Sequence, residues 1–259
     1  MGIAEHKLKK QAEDTKQQPR VQSVARAVGI LHSISTSATG LSRKEISEQN
    51  DLTKQTTYHL LHTLSQFGLV RKNEFGDYIL GLRVTSLAEG FRRQHEGSPQ
   101  IFNLVKKVAK KTGETAYAAK WIDGEVVSIA RAPGWHPIQA VQVPQGLSTD
   151  AHARAGGKVL LAFSSDIDRQ RFFETHKLTR RTPKTIYSKE ELEAQFKKIR
   201  ACGYAVEKEE FAEGLCCLAL PLDGGFSPYA IGISAPVDRF EKNFKFLLEH
   251  IKEVTQFSL

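Results

Sequence analysis

The 259-residue sequence contains few cysteines and no long apolar run, and both scarcities restrict the class of protein. Its only cysteines are Cys202, Cys216 and Cys217. An odd count with two adjacent members suits neither a disulfide framework nor the paired spacing of a zinc site. No stretch of about 20 apolar residues could cross a bilayer, and residues 1–20 lack the apolar centre of a signal peptide. We therefore expect a cytoplasmic protein without a membrane partner, a metal or another cofactor.

Basic residues outnumber acidic ones, and this balance favours a polyanionic partner. The formal net charge is +8 and the pI is near 9.3. Lysine and arginine that neutralise phosphates release condensed counterions, so such a chain is suited to nucleic acid, although many basic proteins bind none. Residues 1–18 are polar and rich in Lys, Gln and Glu, which predicts a flexible tail.

The ordered chain is predicted to begin with an amphipathic helix over residues 21–31. Val24, Val28 and Leu31 recur there at three- and four-residue spacing. The Ser/Thr/Gly-rich stretch at residues 33–40 is expected to end this helix.

Two short helices joined by a tight turn are predicted next. Ser42 and Glu45 form a capping-box pattern before a helix at residues 43–49, and Thr53 can cap a helix at residues 54–66. This arrangement is a helix-turn-helix. The buried stripe of its second helix is expected to consist of the apolar residues Leu60, Leu61, Leu64 and Phe67.

A hairpin and a connecting helix are predicted to complete this part of the chain. Residues 69–72 and 78–80 resemble strands and are separated by a loop that contains Asn, Gly and Asp, so they predict a wing. Helical spacing at Leu82, Leu87 and Phe91 stops near Pro99. The expected divisions are a winged helix-turn-helix at 19–82, a connecting helix at 83–97 and a second domain at 98–259.

The second domain is predicted to be an α/β domain. Its helical patterns lie at residues 101–111, 153–163 and 189–201. Its strand-like runs lie at residues 116–121, 126–130, 138–143, 205–210, 216–220 and 230–235. Helices set around short, hairpin-linked strands indicate an α+β protein with a sensor-like second domain.

The helix-turn-helix pattern predicts which side chains meet DNA. The second helix of such a module lies in the major groove, and its N-terminal residues reach base edges. Gln55 can pair with adenine, and Lys54 can address guanine or a phosphate. The remaining candidates are Thr56 and Tyr58 on the same helix, Arg43 and Lys44 on the preceding helix, and Arg71 and Lys72 on the wing. Each of these is equally compatible with a solvated surface position.

Several separate segments together resemble the IclR-type transcription regulators. The matching stretches are residues 23–27, 52–64, 67–70, 78–82, 151–162, 203–204, 209–210, 214, 217–221 and 230–236. The resemblance runs from about Val21 to the C-terminus and implies a DNA-binding domain followed by a GAF-like effector-binding domain. It also implies homodimers that pair into tetramers, with Leu82, Leu87 and Phe91 as natural interface residues. His59 departs from the family pattern, which usually has Arg there, so a backbone contact would be weaker or dependent on pH.

The resemblance also implies a pocket for a small-molecule effector. Its candidates, carried over position by position, are Ala155, Gly156, Glu207, Leu215, Cys217, Gly232 and Ser234, with Ile138 and Val141 as weaker choices. Successive glycines at a helix start let backbone N–H groups approach a carboxylate. Cys217, Leu215 and Gly232 would also be ordinary core residues of a sheet. The expected ligand is a small organic acid or an amide-like metabolite.

Some chemistry is excluded by the same residues. Gly156, Gly157 and Lys158 resemble part of a phosphate loop, but His152 replaces the first glycine and Val159 the final Ser or Thr, so that motif fails. His152 and Cys217 have no recognisable catalytic context. Glu209 and Glu210 are expected to point to opposite faces of a strand, so they cannot act on one atom, and one is expected to form an ion pair.

The prediction is a ligand-responsive regulator that binds a double-stranded operator as a homodimer or tetramer and is not an enzyme. Repression is favoured over activation because blocking a promoter needs only occupancy. One alternative is a small-molecule-converting enzyme with a winged helix used for protein interaction, which would turn its ligand over. Another is a protein–protein adaptor, which would show no salt-dependent affinity for DNA.

Overall fold

The computed structural model describes residues 19–95, 99–140, 146–147 and 150–256. The predicted tail at residues 1–18 and the pocket candidate Val141 lie outside this part of the chain. The protein divides into two compact units, one up to Arg93 and one from Gln94 onward. Among the described helices, none is both long enough and apolar enough to span a bilayer.

The described residues of the first unit form four helices and a two-stranded hairpin. In chain order these are α1 Gln22–Thr36, α2 Arg43–Gln49, α3 Lys54–Gln66, β1 Val70–Lys72, β2 Tyr78–Leu80 and α4 Arg83–His95. The strands β1 and β2 pair antiparallel. Leu41 pairs with Tyr78 on the other side of β2 in a single antiparallel β-bridge. The predicted winged helix-turn-helix is confirmed.

Side-chain caps fix the starts of α2 and α3, which begin and end where the sequence predicts. Ser42 Oγ accepts the Glu45 N–H at 3.3 Å, and Glu45 Oε2 accepts the Ser42 N–H at 2.8 Å. Thr53 Oγ1 accepts the Thr56 N–H at 3.1 Å. These bonds satisfy backbone donors that have no partner inside a helix. The two helices are therefore defined by local chemistry.

The apolar faces of α1 and α3 differ in part from the prediction. On α1, Val24 and Val28 are each 59% exposed, and Ile30 and Ile34 are buried instead. The helix continues past its predicted end to Thr36, and the hydroxyls of Ser33, Ser35 and Thr36 bond to main-chain carbonyls within it.

On α3 the buried stripe begins one turn earlier than predicted. Thr57, Leu61 and Leu64 are buried at spacings of four and three, and Leu60 is half-buried. Phe67 is 67% exposed, which contradicts its predicted burial. It occupies the C-cap, where the backbone leaves helical geometry, so its side chain no longer follows the stripe.

The second unit is built on a six-stranded antiparallel sheet with strand order β5-β4-β3-β8-β7-β6. Its strands are β3 Thr115–Ile122, β4 Glu125–Ala132, β5 Gly146–Leu147, β6 Ala205–Lys208, β7 Leu215–Pro221 and β8 Tyr229–Pro236. Its helices are α5 Pro99–Thr112, α6 Ala155–Phe163, α7 Asp166–Thr175, α8 Lys189–Cys202 and α9 Val237–Gln256. Helices cover both faces of the sheet, so the α+β prediction is confirmed.

Two of these helices, α7 and α9, were not predicted. In α9, Phe240, Leu247, Ile251 and Val254 are buried at helical spacing. They pack with α5 on one face of the sheet, while α6 and α8 cover the other face. The spacing was available in the sequence, and a sheet with two apolar faces requires a second helical layer.

The strand predicted at 138–143 is absent from residues 138–140. The Ile138 carbonyl accepts a hydrogen bond from Arg239 at 2.7 Å, and the Gln139 side chain bonds to the Gly134 carbonyl. These contacts replace strand pairing, and Ile138 itself is 73% exposed. Residues 141–143 lie outside the described part of the chain.

Candidate DNA-reading and effector sites

Helix α3 presents the predicted base-reading side chains at its N-terminal end. Lys54, Gln55, Tyr58 and His59 are exposed. Thr56 is half-buried, and its Oγ1 lies 2.9 Å from the hydroxyl of Thr53, so it belongs to the helix cap. The opposite face of α3 is held by the core of the first unit.

The predicted phosphate-contacting residues are also exposed on α2 and on the wing. Lys44 Nζ lies 3.9 Å from Glu48 Oε1, and exposed ion pairs of this kind stabilise little. Arg43, Arg71 and Lys72 are exposed as well, and Lys72 Nζ lies 5.2 Å from the ring centre of Tyr78. A cationic rim thus accompanies α3 on two elements of the same unit.

A row of polar side chains crosses the sheet beneath α6. The strand register sets Glu207 beside Cys217, Cys217 beside Ser234, and Ser234 beside Thr115. All four are buried, and Cys217 Sγ lies 3.2 Å from Ser234 Oγ. Three predicted effector residues, Glu207, Cys217 and Ser234, are therefore adjacent.

The predicted glycines Gly156 and Gly232 lie against the ring of Tyr117, which was not predicted from the sequence. A Cβ at Gly232 would lie 2.6 Å from the ring of Tyr117, and a Cβ at Gly156 would lie 3.0 Å from the same ring. Tyr117 is itself buried on β3. Gly232 thus leaves room on β8 for the Tyr117 ring, and Gly156 lets α6 pack closely over the same ring, in addition to any contact with a ligand.

Glu207 is the most unusual group of this row because half of its carboxylate lacks a partner. Its Oε1 accepts the N–H groups of Glu210 at 2.5 Å and Phe211 at 3.0 Å. Its Oε2 is buried and has no hydrogen-bond partner among the described residues. Burial raises the pKa of Glu207 to about 7, although its hydrogen bonds oppose this. One oxygen of this buried carboxylate is therefore left without a hydrogen-bond donor among the described residues.

Helix α6 begins at this row and supplies positive electrostatic character. Ala155 and Gly156 lie in its first turn, where backbone N–H groups have no intrahelical acceptor. Arg154, the N-cap residue, lies with its guanidinium 3.5 Å from the ring centre of Phe211. Arg154 lies in the stretch at 151–162 that resembles the family, but the sequence did not predict it as a site residue.

The other predicted effector residues are placed less centrally. Leu215 is half-buried at the start of β7, two residues before Cys217 and hence on the same face of the sheet. The exposed side chain of Ile138 is not brought into the row.

The buried side chains of Cys217 and His152 do not have the surroundings of a catalytic nucleophile and its base. Burial raises the pKa of the Cys217 thiol far above its ordinary range, so the reactive thiolate is disfavoured. His152 is buried, and its Nε2 lies 3.0 Å from the carbonyl oxygen of Thr179, which gives the ring a structural role.

Lys158 has a clear structural partner. Its Nζ lies 2.5 Å from Glu210 Oε1, and both side chains are buried. Glu209 also pairs, with the exposed Lys184. The expected ion pair is therefore present, and both glutamates form one. The expectation that the two lie on opposite faces of a strand is wrong. β6 ends at Lys208, and Glu209 adopts a left-handed backbone with φ of 56°.

Comparison with known proteins agrees with this architecture. Residues 23–74 match the family described as "IclR helix-turn-helix domain", and residues 100–257 match "Bacterial transcriptional regulator IclR C-terminal". The HTH-type transcriptional regulator XynR of Escherichia coli is 30% identical over 206 residues, which cover 79% of this chain and 81% of XynR. The transcriptional repressor IclR of the same organism is 28% identical over 246 residues, which cover 91% of this chain and 89% of the repressor.

The fold also matches a solved structure. The crystal structure of the Thermotoga maritima IclR aligns with a TM-score of 0.66 at 25% identity, covering 91% of this chain and 96% of that one. The family matches take in well over half of the chain and include both units. The chain therefore belongs to the IclR family of bacterial transcriptional regulators, and it is a ligand-responsive, DNA-binding regulator and not an enzyme.

Proposed function

We propose that this regulator is a homo-oligomeric repressor that reads a near-palindromic operator through α3 and responds to a small organic acid bound beneath α6. The observation that carries the proposal is the exposure of Lys54, Gln55 and Tyr58 at the start of a helix whose other face is packed into the core. Residues 19–82 would bind DNA, residues 83–97 would connect the two domains, and residues 98–259 would bind the effector. A protein that binds chromosomal operators acts in the cytoplasm.

In this proposal the DNA contacts divide into base reading and backbone positioning. Gln55 and Lys54 address base edges in the major groove, with Thr56 and Tyr58 beside them. His59 contacts the backbone, as do Arg43 and Lys44 on α2 and Arg71 and Lys72 on the wing. Phosphate contacts of this kind supply salt-dependent affinity for any sequence, and the base contacts supply specificity.

The effector is proposed to carry a carboxylate at one end and a hydrogen-bond donor at the other. The start of α6, at Ala155 and Gly156, favours a negative charge because of the helix dipole, and Arg154 adds a cation at the same place. Glu207 Oε2 suits a hydroxyl or an amide N–H, because a second carboxylate would face an unpaired buried acid. Cys217, Ser234, Gly232 and Leu215 would form the remaining wall. A hydroxy acid or an amide-bearing acid satisfies both ends.

The homodimer is proposed to form through apolar side chains of the first unit. Leu82, Leu87 and Phe91 lie exposed around α4, and Val24 and Val28 lie exposed on α1. Exposed apolar side chains grouped along helices are typical of subunit interfaces. Two copies would present two α3 helices to the two halves of an operator.

The experiment that tests the proposal is selection of tight binders from random-sequence DNA at two salt concentrations. Enrichment of a palindromic consensus with strong salt dependence is the expected result. The selected operator then allows a screen in which hydroxy acids and amide-bearing acids are compared with matched acids that lack the donor. Failure to enrich any sequence, with and without these acids, would contradict the proposed operator binding.

Replacing Gln55 with alanine should weaken operator binding by about 1–3 kcal/mol and relax specificity at one base position, because a bidentate base contact is lost. The measurement is the dissociation constant for the selected operator and for operators changed at each position. Gln66→Ala is the matched control, since Gln66 is exposed at the opposite end of α3. If Gln55→Ala binds all operators as the wild type does, Gln55 is not a base-reading residue.

Replacing Lys72 with alanine should weaken binding to all sequences and reduce the slope of log affinity against log salt by about one unit, because one phosphate contact is lost. Titrations of specific and non-specific DNA over a range of salt concentrations measure this slope. Lys72→Arg should retain it. An unchanged slope for Lys72→Ala would remove this residue from the phosphate contacts.

A further inference from the structure

The tip of the wing exposes a large aromatic side chain. Phe75 lies midway between β1 and β2 and is 82% exposed. Most exposed positions of a DNA-binding surface are polar, and an isolated phenylalanine there has no role in the core of the first unit. Any contact made by the Phe75 ring would therefore be with a surface outside the core of this unit.

The backbone of this tip is held in place by one side chain. Asn73 Oδ1 accepts the N–H groups of Phe75 at 3.0 Å and Asp77 at 2.9 Å. Asn73 Nδ2 donates to the Thr39 carbonyl at 3.1 Å, which ties the tip to the loop before α2. Because the loop is already ordered, a contact made by Phe75 would contribute to binding without the entropic cost of ordering a loose loop.

The tip is also fixed relative to the DNA-reading helix. Val70, at the base of the wing, is buried in the same core as Leu61 and Leu64 of α3. Arg71 and Lys72 lead from that base toward Phe75 and are exposed. The tip itself carries the exposed acid Glu74, which phosphates repel, so attraction there has to be apolar rather than ionic.

Building on the proposed operator binding, we infer that Phe75 inserts into the minor groove beside the half-site read by α3 and packs against sugars and partly unstacked bases. Apolar side chains such as Phe can wedge between base steps from the minor groove, and pyrimidine–purine steps open most readily. The wing would then select flexible steps that flank the bases read by Gln55. This contact supplies specificity through DNA deformability and involves no counterion release.

The test compares Phe75→Ala with Phe67→Ala in the full-length protein. Phe67 is a matched control because it is an exposed phenylalanine of the same unit at the far end of α3. Phe75→Ala should weaken operator affinity about 10-fold, as expected for loss of one stacked apolar contact, and leave the salt slope unchanged. Phe67→Ala should bind as the wild type does. A 2-aminopurine placed at the flanking step should brighten with the wild type and not with Phe75→Ala.

Three results would overturn the inference. They are unchanged affinity for Phe75→Ala, equal loss for both variants, and loss accompanied by a changed salt slope. In each case the wild type still binds its operator, so the proposed function is untouched. If the wild-type protein selects no DNA sequence, the proposed operator binding fails and this inference fails with it.

Discussion

Replacing Lys158 with alanine is expected to lower the free energy of unfolding by about 3–5 kcal/mol, because it leaves a buried carboxylate without its cation. Lys158 is fully buried on α6, and Glu210 is its ion-pair partner. Burial lowers the pKa of the lysine, while the carboxylate of Glu210 opposes that shift. Without Lys158, Glu210 would also face the second buried acid, Glu207. Urea unfolding of the wild type and the variant measures the difference.

The neighbouring pair provides the control for this prediction. Lys184 and Glu209 form an ion pair on the same segment, but the Lys184 side chain is exposed. Lys184→Ala should therefore cost less than about 1 kcal/mol. The double variant Lys158→Met with Glu210→Leu should recover much of the loss, since an apolar pair of similar volume avoids the desolvation of two charges. A loss near that of Lys184→Ala would contradict the assigned role of Lys158.

This lysine also shows where sequence reasoning stops. The run Gly156-Gly157-Lys158 could be excluded as a phosphate loop because its flanking residues are wrong. The partner of Lys158, however, lies 52 residues further along the chain, and nothing local links the two positions. Only the packing of α6 against the end of β6 brings them together.

The helix-turn-helix was predictable because its determinants are local. Ser42, Glu45 and Thr53 cap the helices whose starts they predict, and the wing follows from its loop residues and alternating strands. The predicted burial of Phe67 is wrong for a local reason too, since α3 ends at this residue and its side chain does not point into the core. Capping and turn residues thus account for the bounds of α2 and α3 and for the wing, but not for the buried face of α1.

The row of polar side chains beneath α6 was only partly predictable, because the order of strands in a sheet does not follow from local sequence. Glu207, Cys217 and Ser234 come from three strands, and their adjacency follows from β7 lying between β6 and β8. Tyr117 was missed because β3, which is early in the chain, pairs with the late strand β8. A glycine in a strand can signal the close approach of another group, and Gly232 was such a signal for the Tyr117 ring.

Glu207 should make the stability of the wild-type protein fall as pH rises. Its pKa is about 7 in the folded protein, against an ordinary value of 4.5. Between these values the folded state binds more protons than the unfolded state, so the free energy of unfolding decreases with increasing pH. The decrease from this one group should be about 3 kcal/mol across the window and should level off above about pH 7.

Glu207→Gln should remove most of this dependence, because the amide stays neutral at every pH in the window. Urea unfolding at several pH values between about 4.5 and 8 provides the measurement.

Glu209→Gln is the matched control. The ion pair with Lys184 lowers the pKa of Glu209, so its titration affects stability only below the window and the slope should persist. Equal slopes for the wild type and Glu207→Gln would show that Glu207 titrates alike in the folded and unfolded states. The effector should then bind without release of a proton. A Glu207 with a raised pKa has to lose its proton before it accepts a donor from the ligand, so effector binding would release a proton and depend on pH.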